Sequence, residues 1–163
     1  MLARAITFAL VGLEPRRVEV EAHVQNAIPA FTLVGLVDRA CQEAKHRVRT
    51  AIRAAGLRWP GTCTVNLAPA ELKKEGSGFD LPIALALLAA SGQVPHERLG
   101  EHAACGELAL DGRLRRVGGV LGVAEGARQA GLDRIICAHD ASAEVARRLV
   151  TAMDTVNEVL RNA

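Results

Sequence analysis

The sequence predicts a two-layer α/β domain on a mixed sheet, and three stretches carry that reading. Between 17 and 25, Val18, Val20, Ala22 and Val24 alternate with Glu19, Glu21 and His23, the period of a half-buried antiparallel strand. After Asp38, residues 39–55 place Ala40, Cys41, Ala44, Val48, Ala51, Ile52 and Ala55 on one side of a helix. After Asp80, the run 81–90 is apolar all round, which marks a helix at the centre of the domain.

The remaining elements follow in order. Residues 2–11 read as the first strand, and Glu14-Pro15 supplies the turn into 17–25. Pro29 leads to a short strand at 31–34, ended by Gly35. Asp38 is a good N-cap for helix 39–55, with Gly56 as its stop. The β-branched stretch 62–67 is a strand. Asp80 caps the central helix, whose first turn tolerates Pro82. Residues 103–110 and 113–117 form a hairpin around Asp111-Gly112. Helix 120–130, stopped by Gly131, precedes a buried strand at 134–138. A helix at 142–149, a strand at 150–153 and a helix at 155–161 close the chain, an order that predicts a parallel strand pair. With no repeat, linker or low-complexity segment, 1–163 reads as one domain.

Composition narrows the function. Half the residues are apolar, yet only four are aromatic, three Phe and Trp59. Ala, Val, Leu and Ile must build the core, and rings for stacking single-stranded nucleic acid are scarce. The net charge is +2, with acidic residues interspersed, so no broad basic footprint stands out. Arg supplies most of the positive charge and suits bidentate anion contacts. Arg39, Lys45, His46, Arg49 and Arg53 share the polar side of helix 39–55, as a solvated face or as a surface for an anion or partner. Cys41, Cys63, Cys105 and Cys137 lack the paired spacing of a zinc site and read as buried thiols of a cytoplasmic protein. His46 and His139 are isolated, so no metal site is expected. The apolar N-terminus is short for a signal peptide, and no stretch approaches the ~20 residues that span a membrane.

Residues 66–92 combine a strand end, a charged loop with Gly76 and Gly78, Asp80 and the apolar helix, as in a catalytic turn. The groups such a turn needs are missing. No Gly-x-x-x-x-Gly-Lys-Ser/Thr phosphate loop and no Gly-x-Ser-x-Gly elbow occur. A Ser77–Lys74 pair would need a desolvated lysine, whereas Lys73 and Lys74 on a charged loop are expected to be solvated and protonated. Ser77 then reads as a small turn residue. Lys73 and Lys74 either sit in a solvated loop or meet a phosphate or acidic partner, with Glu71, Glu75 and Asp80 beside them. Asp111 belongs to its turn, and Glu107 has no identifiable partner.

Three segments carry a family resemblance. The first joins Phe31-Thr32-Leu33-Val34-Gly35-Leu36-Val37-Asp38 to Glu43-Ala44-Lys45-His46-Arg47-Val48-Arg49. The second runs from Asn66-Leu67-Ala68-Pro69-Ala70-Glu71-Leu72 to Gly92. The third joins Gly106-Glu107-Leu108-Ala109-Leu110-Asp111-Gly112 to Val117-Gly118-Gly119-Val120-Leu121. In this order they resemble the N-terminal domain of the bacterial Mg-chelatase-like AAA+ proteins, the ComM/YifB family. Val37 replaces the usual Pro and Ala44 the usual Ser.

The resemblance implies a ribosomal-protein-S5-domain-2-like fold, shared with the protease domain of Lon. It implies a non-catalytic accessory and assembly domain of a hexameric AAA+ DNA motor that acts in recombination of incoming DNA. Its partners would be the AAA+ module, neighbouring subunits and, weakly, DNA. ATP and Mg are expected only in the AAA+ module, which this chain lacks, so it reads as a cut-out domain or a stand-alone remnant. Lon-type peptidases use a Ser–Lys dyad. Laying the two motifs on this chain puts Gly78 at the Ser position and Leu121 at the Lys position, so no activated nucleophile of that kind is expected. The alternatives are a stand-alone Lon-type peptidase, or a protein-binding scaffold without nucleic-acid contact. The candidate anion or DNA contacts are Arg39, His46, Arg49, Arg53, Lys73 and Lys74.

Overall fold

A computed structural model describes residues 1–132 and 134–141, with the backbone of 150–153. The chain runs β1 (Leu2–Val11), β2 (Glu14–Gln25), β3 (Ala30–Val34), α1 (Arg39–Gln42), α2 (Ala44–Ala54), β4 (Thr62–Ala68), α3 (Asp80–Ala90), β5 (His102–Ala104), β6 (Glu107–Leu108), β7 (Leu114–Arg115), α4 (Val120–Gln129), β8 (Arg134–Ala138) and β9 (Val150–Met153). Seven strands form one mixed sheet in the order β3-β4-β2-β1-β5-β8-β9, and β6 and β7 form a separate small hairpin. β1/β2 and β2/β4 are antiparallel, and the other neighbours are parallel. The mixed α/β architecture and the parallel β8/β9 pair are as the sequence predicts. The predicted helices at 142–149 and 155–161 lie outside the described residues.

Strand alternation separates two cores. Ala3, Ala5 and Ala9 of β1, with Val18, Val20 and Ala22 of β2, pack under α2 and α3. Ile6 and Phe8 of β1 face the other way and join Ala103, Cys105, Ile135 and Cys137 beneath α4. Helices therefore cover both faces around β1, β5 and β8. All of α3 is buried, Asp80 included.

Three local expectations shift. The first turn lies at Gly12-Leu13, where Gly12 has φ +64°, and Glu14 and Pro15 pair with Val11 and Leu10 in the ladder. A two-residue hairpin turn needs the positive φ that Gly12 supplies. Helix 39–55 divides at Glu43 into α1 and α2. The arm 103–110 breaks after β5, because the chain leaves the main sheet there to build the β6–β7 hairpin around Asp111-Gly112.

Candidate functional site

The loop before α3 is stitched to the segment before α1. Lys74 donates its amide to the Leu36 carbonyl at 2.7 Å, and Asp38 donates its own to the Lys74 carbonyl at 2.9 Å. Asp38 caps α1 by accepting from the Cys41 amide at 2.7 Å, and its second oxygen accepts from the Gly76 amide at 3.0 Å. These bonds turn residue 74 inward. Lys74 is fully buried and its Nζ donates to the Pro69 carbonyl, so the expectation of a solvated Lys74 is corrected. Burial holds its pKa below the ordinary lysine value, against the opposing pull of Glu71 and Cys41. Lys73 does stay exposed, paired with Glu75 at 2.5 Å.

Asp80 is also more than the expected cap. Phe79 holds the N-cap position, and Asp80 is the first helical residue, fully buried. Arg47 grips it with Nε on Oδ2 at 2.6 Å and Nη2 on Oδ1 at 3.0 Å, while the Leu108 amide donates to Oδ2 at 3.1 Å. Burial raises the Asp80 pKa, and Arg47 and the Leu108 amide work against that rise. Arg47 was not among the sequence candidates. Its signal was an arginine inside the 43–49 segment on a half-buried side of the helix.

A cleft of about 510 Å³ opens between the two glycine-bearing loops that lead into α3 and α4. One wall is Lys73, Glu75, Gly76, Ser77, Gly78 and Phe79; the other is Arg116, Val117, Gly118, Gly119 and Val123. Thr7, Phe8, Ala9 and Leu10 of β1, with Cys105, form the floor. Smooth packing brings α4 this close. An added Cβ at Gly122 would meet Leu10 at 2.4 Å, and one at Gly126 would meet Phe8 at 2.5 Å. Of the two dyad positions, Gly78 lies in the cleft wall, whereas Leu121 is 59% exposed and is not among the lining residues. Ser77 lines the cleft and Lys74 does not, and no hydrogen bond joins them.

A Mg-nucleotide does not fit these residues. The glycine loop offers it no free lysine, since Lys74 is turned to Pro69 and Lys73 is held by Glu75.

The basic residues of α1 and α2 differ in exposure. Arg39, His46 and Arg53 are exposed, Lys45 is half-buried, and Arg39 pairs with Glu43 at 3.4 Å. Arg49 stacks on Trp59 at 5.6 Å from the ring centroid, and its buried Nε has no hydrogen-bond partner among the described residues. Trp59 in turn packs on Phe31, with ring centroids 5.2 Å apart. Glu107 does have a partner, Arg115, at 3.5 Å across the small hairpin. The four thiols are free and buried, and burial pushes Cys41 up to about 12 and Cys63 and Cys137 up to about 11. Among the described residues, no helix is long and apolar enough to cross a membrane.

Known proteins align with most of this chain. The family model described as subunit ChlI of Mg-chelatase matches residues 20–141. Protein YifB of Escherichia coli, described as uncharacterized, is 45% identical over 140 residues, which is 85% of this chain and 28% of YifB. Competence protein ComM of Haemophilus influenzae is 42% identical over 142 residues, 86% of this chain and 28% of ComM. An uncharacterized protein of Mycobacterium tuberculosis, Rv2897c, is 41% identical over 140 residues, 85% of this chain and 28% of its own length. The chain thus spans 28% of the length of these relatives.

Proposed function

The chain belongs to the family of the Mg-chelatase subunit ChlI, as a ComM- and YifB-like member, and from that premise we propose that it is a non-catalytic accessory and assembly domain of a cytoplasmic AAA+ ATPase. In this reading the parent protein is a ring-forming DNA motor that acts on incoming DNA. ATP and Mg belong to the motor's own module. The domain packs against that module and neighbouring subunits, and touches DNA weakly. The observation that carries the non-catalytic part is the cleft. Gly78 in its wall offers no nucleophile, Leu121 lies outside it and offers no base, and Lys74 is committed to the Pro69 carbonyl.

The test is turnover. Purified 1–163 is expected to hydrolyse neither casein nor ATP. Casein or ATP hydrolysis that disappears in Ser77→Ala or Lys74→Met protein would overturn the reading. Any DNA affinity of the domain alone is expected in the non-specific range of roughly 0.1 mM to 1 μM at physiological salt, because its near-zero net charge keeps counterion release small. Several copies in a ring would raise that through avidity.

A further inference from the structure

We infer that the free edge of β3 pairs with the same edge of a second copy of this chain. The two strands run antiparallel about a two-fold axis at Thr32, and one sheet continues through the dimer. The inference goes beyond the accessory-domain reading. A two-fold contact is not the rotation that closes a ring, so either can fail without the other.

The edge is open. β3 is the end strand of the main sheet and has β4 as its one neighbour. Half the amides and carbonyls of such a strand point outward, where they can template another chain. Among the described residues, Ala30–Val34 make no backbone hydrogen bond to any segment but β4.

The edge is also undefended. Edge strands are ordinarily blunted by charged side chains, proline or a bulge. Residues 26–37 hold no charged side chain, and no proline falls within β3. Its ladder with β4 runs through five consecutive pairs without a bulge. The sheet face turned away from α2 and α3 sharpens the contrast. On β2 and β4 that face carries Glu19, Glu21, His23, Thr64 and Asn66, whereas on β3 it carries Ala30, Thr32 and Val34. Polarity that suits water therefore stops one strand short of the edge.

The pattern matches itself, and this selects a second copy. Antiparallel pairing about Thr32 sets Ala30 against Val34 of the other copy on one face, and Phe31 against Leu33 on the other face. Ile28 and Leu36 flank β3 at equal distances from Thr32 and are 87% and 51% exposed. The same axis brings the Ile28 of each copy to the end of the paired strands that carries the Leu36 of the other. Apolar groups then meet apolar groups along the whole contact, and no like charges are opposed. A charged extended peptide would find no counter-charge on this strand. The contact is short, since five residues a side fall below a standard-size interface, so the dimer is weak and depends on concentration.

Sedimentation equilibrium of purified 1–163 across the micromolar to millimolar range reads the association. The mass is expected to rise from 17.3 kDa towards twice that value. Thr32 is exposed, so Thr32→Lys and Thr32→Glu leave the core untouched. Each sets like charges against one another at the axis and should weaken association by about tenfold or more. An equimolar mixture of the two variants opposes a lysine to a glutamate there and should restore the dimer. Melting curves check that each variant keeps the parental fold. A mass that stays at 17.3 kDa throughout would leave the edge for a different chain and overturn the inference. Three other results would also overturn it. Association that persists in Thr32→Lys places the contact on another surface. A mixture that stays monomeric removes Thr32 from the axis. A mass that climbs past the dimer shows pairing that does not close.

Discussion

Arg47 of α2 and Asp80 of α3 form a two-point ion pair, at 2.6 and 3.0 Å, between residues 33 apart in sequence. Arg47 also donates to the Ala40 carbonyl at 2.8 Å, and Asp80 also accepts from Leu108. One pair therefore fastens α1, α2, the start of α3 and the small β6–β7 hairpin. All three sequence segments that carry the family resemblance meet at it.

Breaking this pair should be costly. Arg47→Ala leaves the fully buried Asp80 carboxylate without its cation, and losing one partner of a buried pair costs about 3–5 kcal/mol. The double variant Arg47→Met/Asp80→Leu removes both charges and should lose less than Arg47→Ala alone. Urea denaturation followed by circular dichroism checks the order. A double variant less stable than Arg47→Ala would show that the charges stabilise the fold beyond satisfying each other.

Much of the fold is legible in the sequence, for identifiable reasons. The period-2 pattern at 18–24 and the all-apolar run 81–90 are local signals of what each face meets, and both elements form as read. Lys74 shows where local signals fail. Lys73 and Glu75 beside it suggest solvent, but its burial comes from pairing with Leu36 and Asp38, a contact the local charge pattern does not encode. Arg49 is similar, since its stacking depends on Trp59 arriving from the next loop. Of the cleft, the loop with Gly76 and Gly78 stood out in the sequence, and the facing Gly118-Gly119 loop only through the family resemblance. Thr7 in the cleft floor did not, because a lone Thr in a largely apolar strand carries no local signal.

Lys74 should make stability depend on alkaline pH. Its folded-state pKa is depressed by burial, so the folded state gives up this proton before the unfolded chain does. The folded form then binds fewer protons, and the stability contributed by this residue rises with pH through a window that ends at the ordinary lysine value of 10.5. Comparison with Lys74→Met cancels the other titrations. The parent protein should gain stability relative to Lys74→Met as the pH rises towards 10.5, measured as urea midpoints. A constant difference over that range would mean that the two states share one lysine pKa.

The α4 glycines should resist an otherwise favourable substitution. Ala in place of Gly within a helix ordinarily gains about 1 kcal/mol. At Gly126 the new Cβ would lie 2.5 Å from Phe8, a ring held on β1. Overpacking of that kind costs about 1–3 kcal/mol, so the clash should win and Gly126→Ala should lower the melting temperature. Gly126→Ala combined with Phe8→Leu should recover part of the loss. A melting temperature raised by Gly126→Ala alone would mean that α4 can move off the sheet without cost.

The proposed DNA contacts divide by what already holds each arginine. Arg39 and Arg53 are exposed, Arg39 beside Glu43 at 3.4 Å, while Arg49 is half-buried against Trp59. Each phosphate neutralised on duplex DNA contributes about 0.9 to the slope of log affinity against log salt. If Arg39 and Arg53 each meet a phosphate, Arg39→Ala/Arg53→Ala should flatten that slope by close to 2 and weaken binding at low salt more than at high salt. Arg49→Ala should act differently. It removes a cation–π contact worth about 0.5–1 kcal/mol at a partly exposed site, so its main effect belongs in thermal stability. Lys73→Ala tests the loop by the same measure, where the Glu75 pair should already blunt its contribution. Fluorescence anisotropy of labelled duplex DNA across a salt series, run beside melting curves, reads both quantities. An unchanged slope in Arg39→Ala/Arg53→Ala would remove this helix from the DNA surface and leave it for contact with the motor.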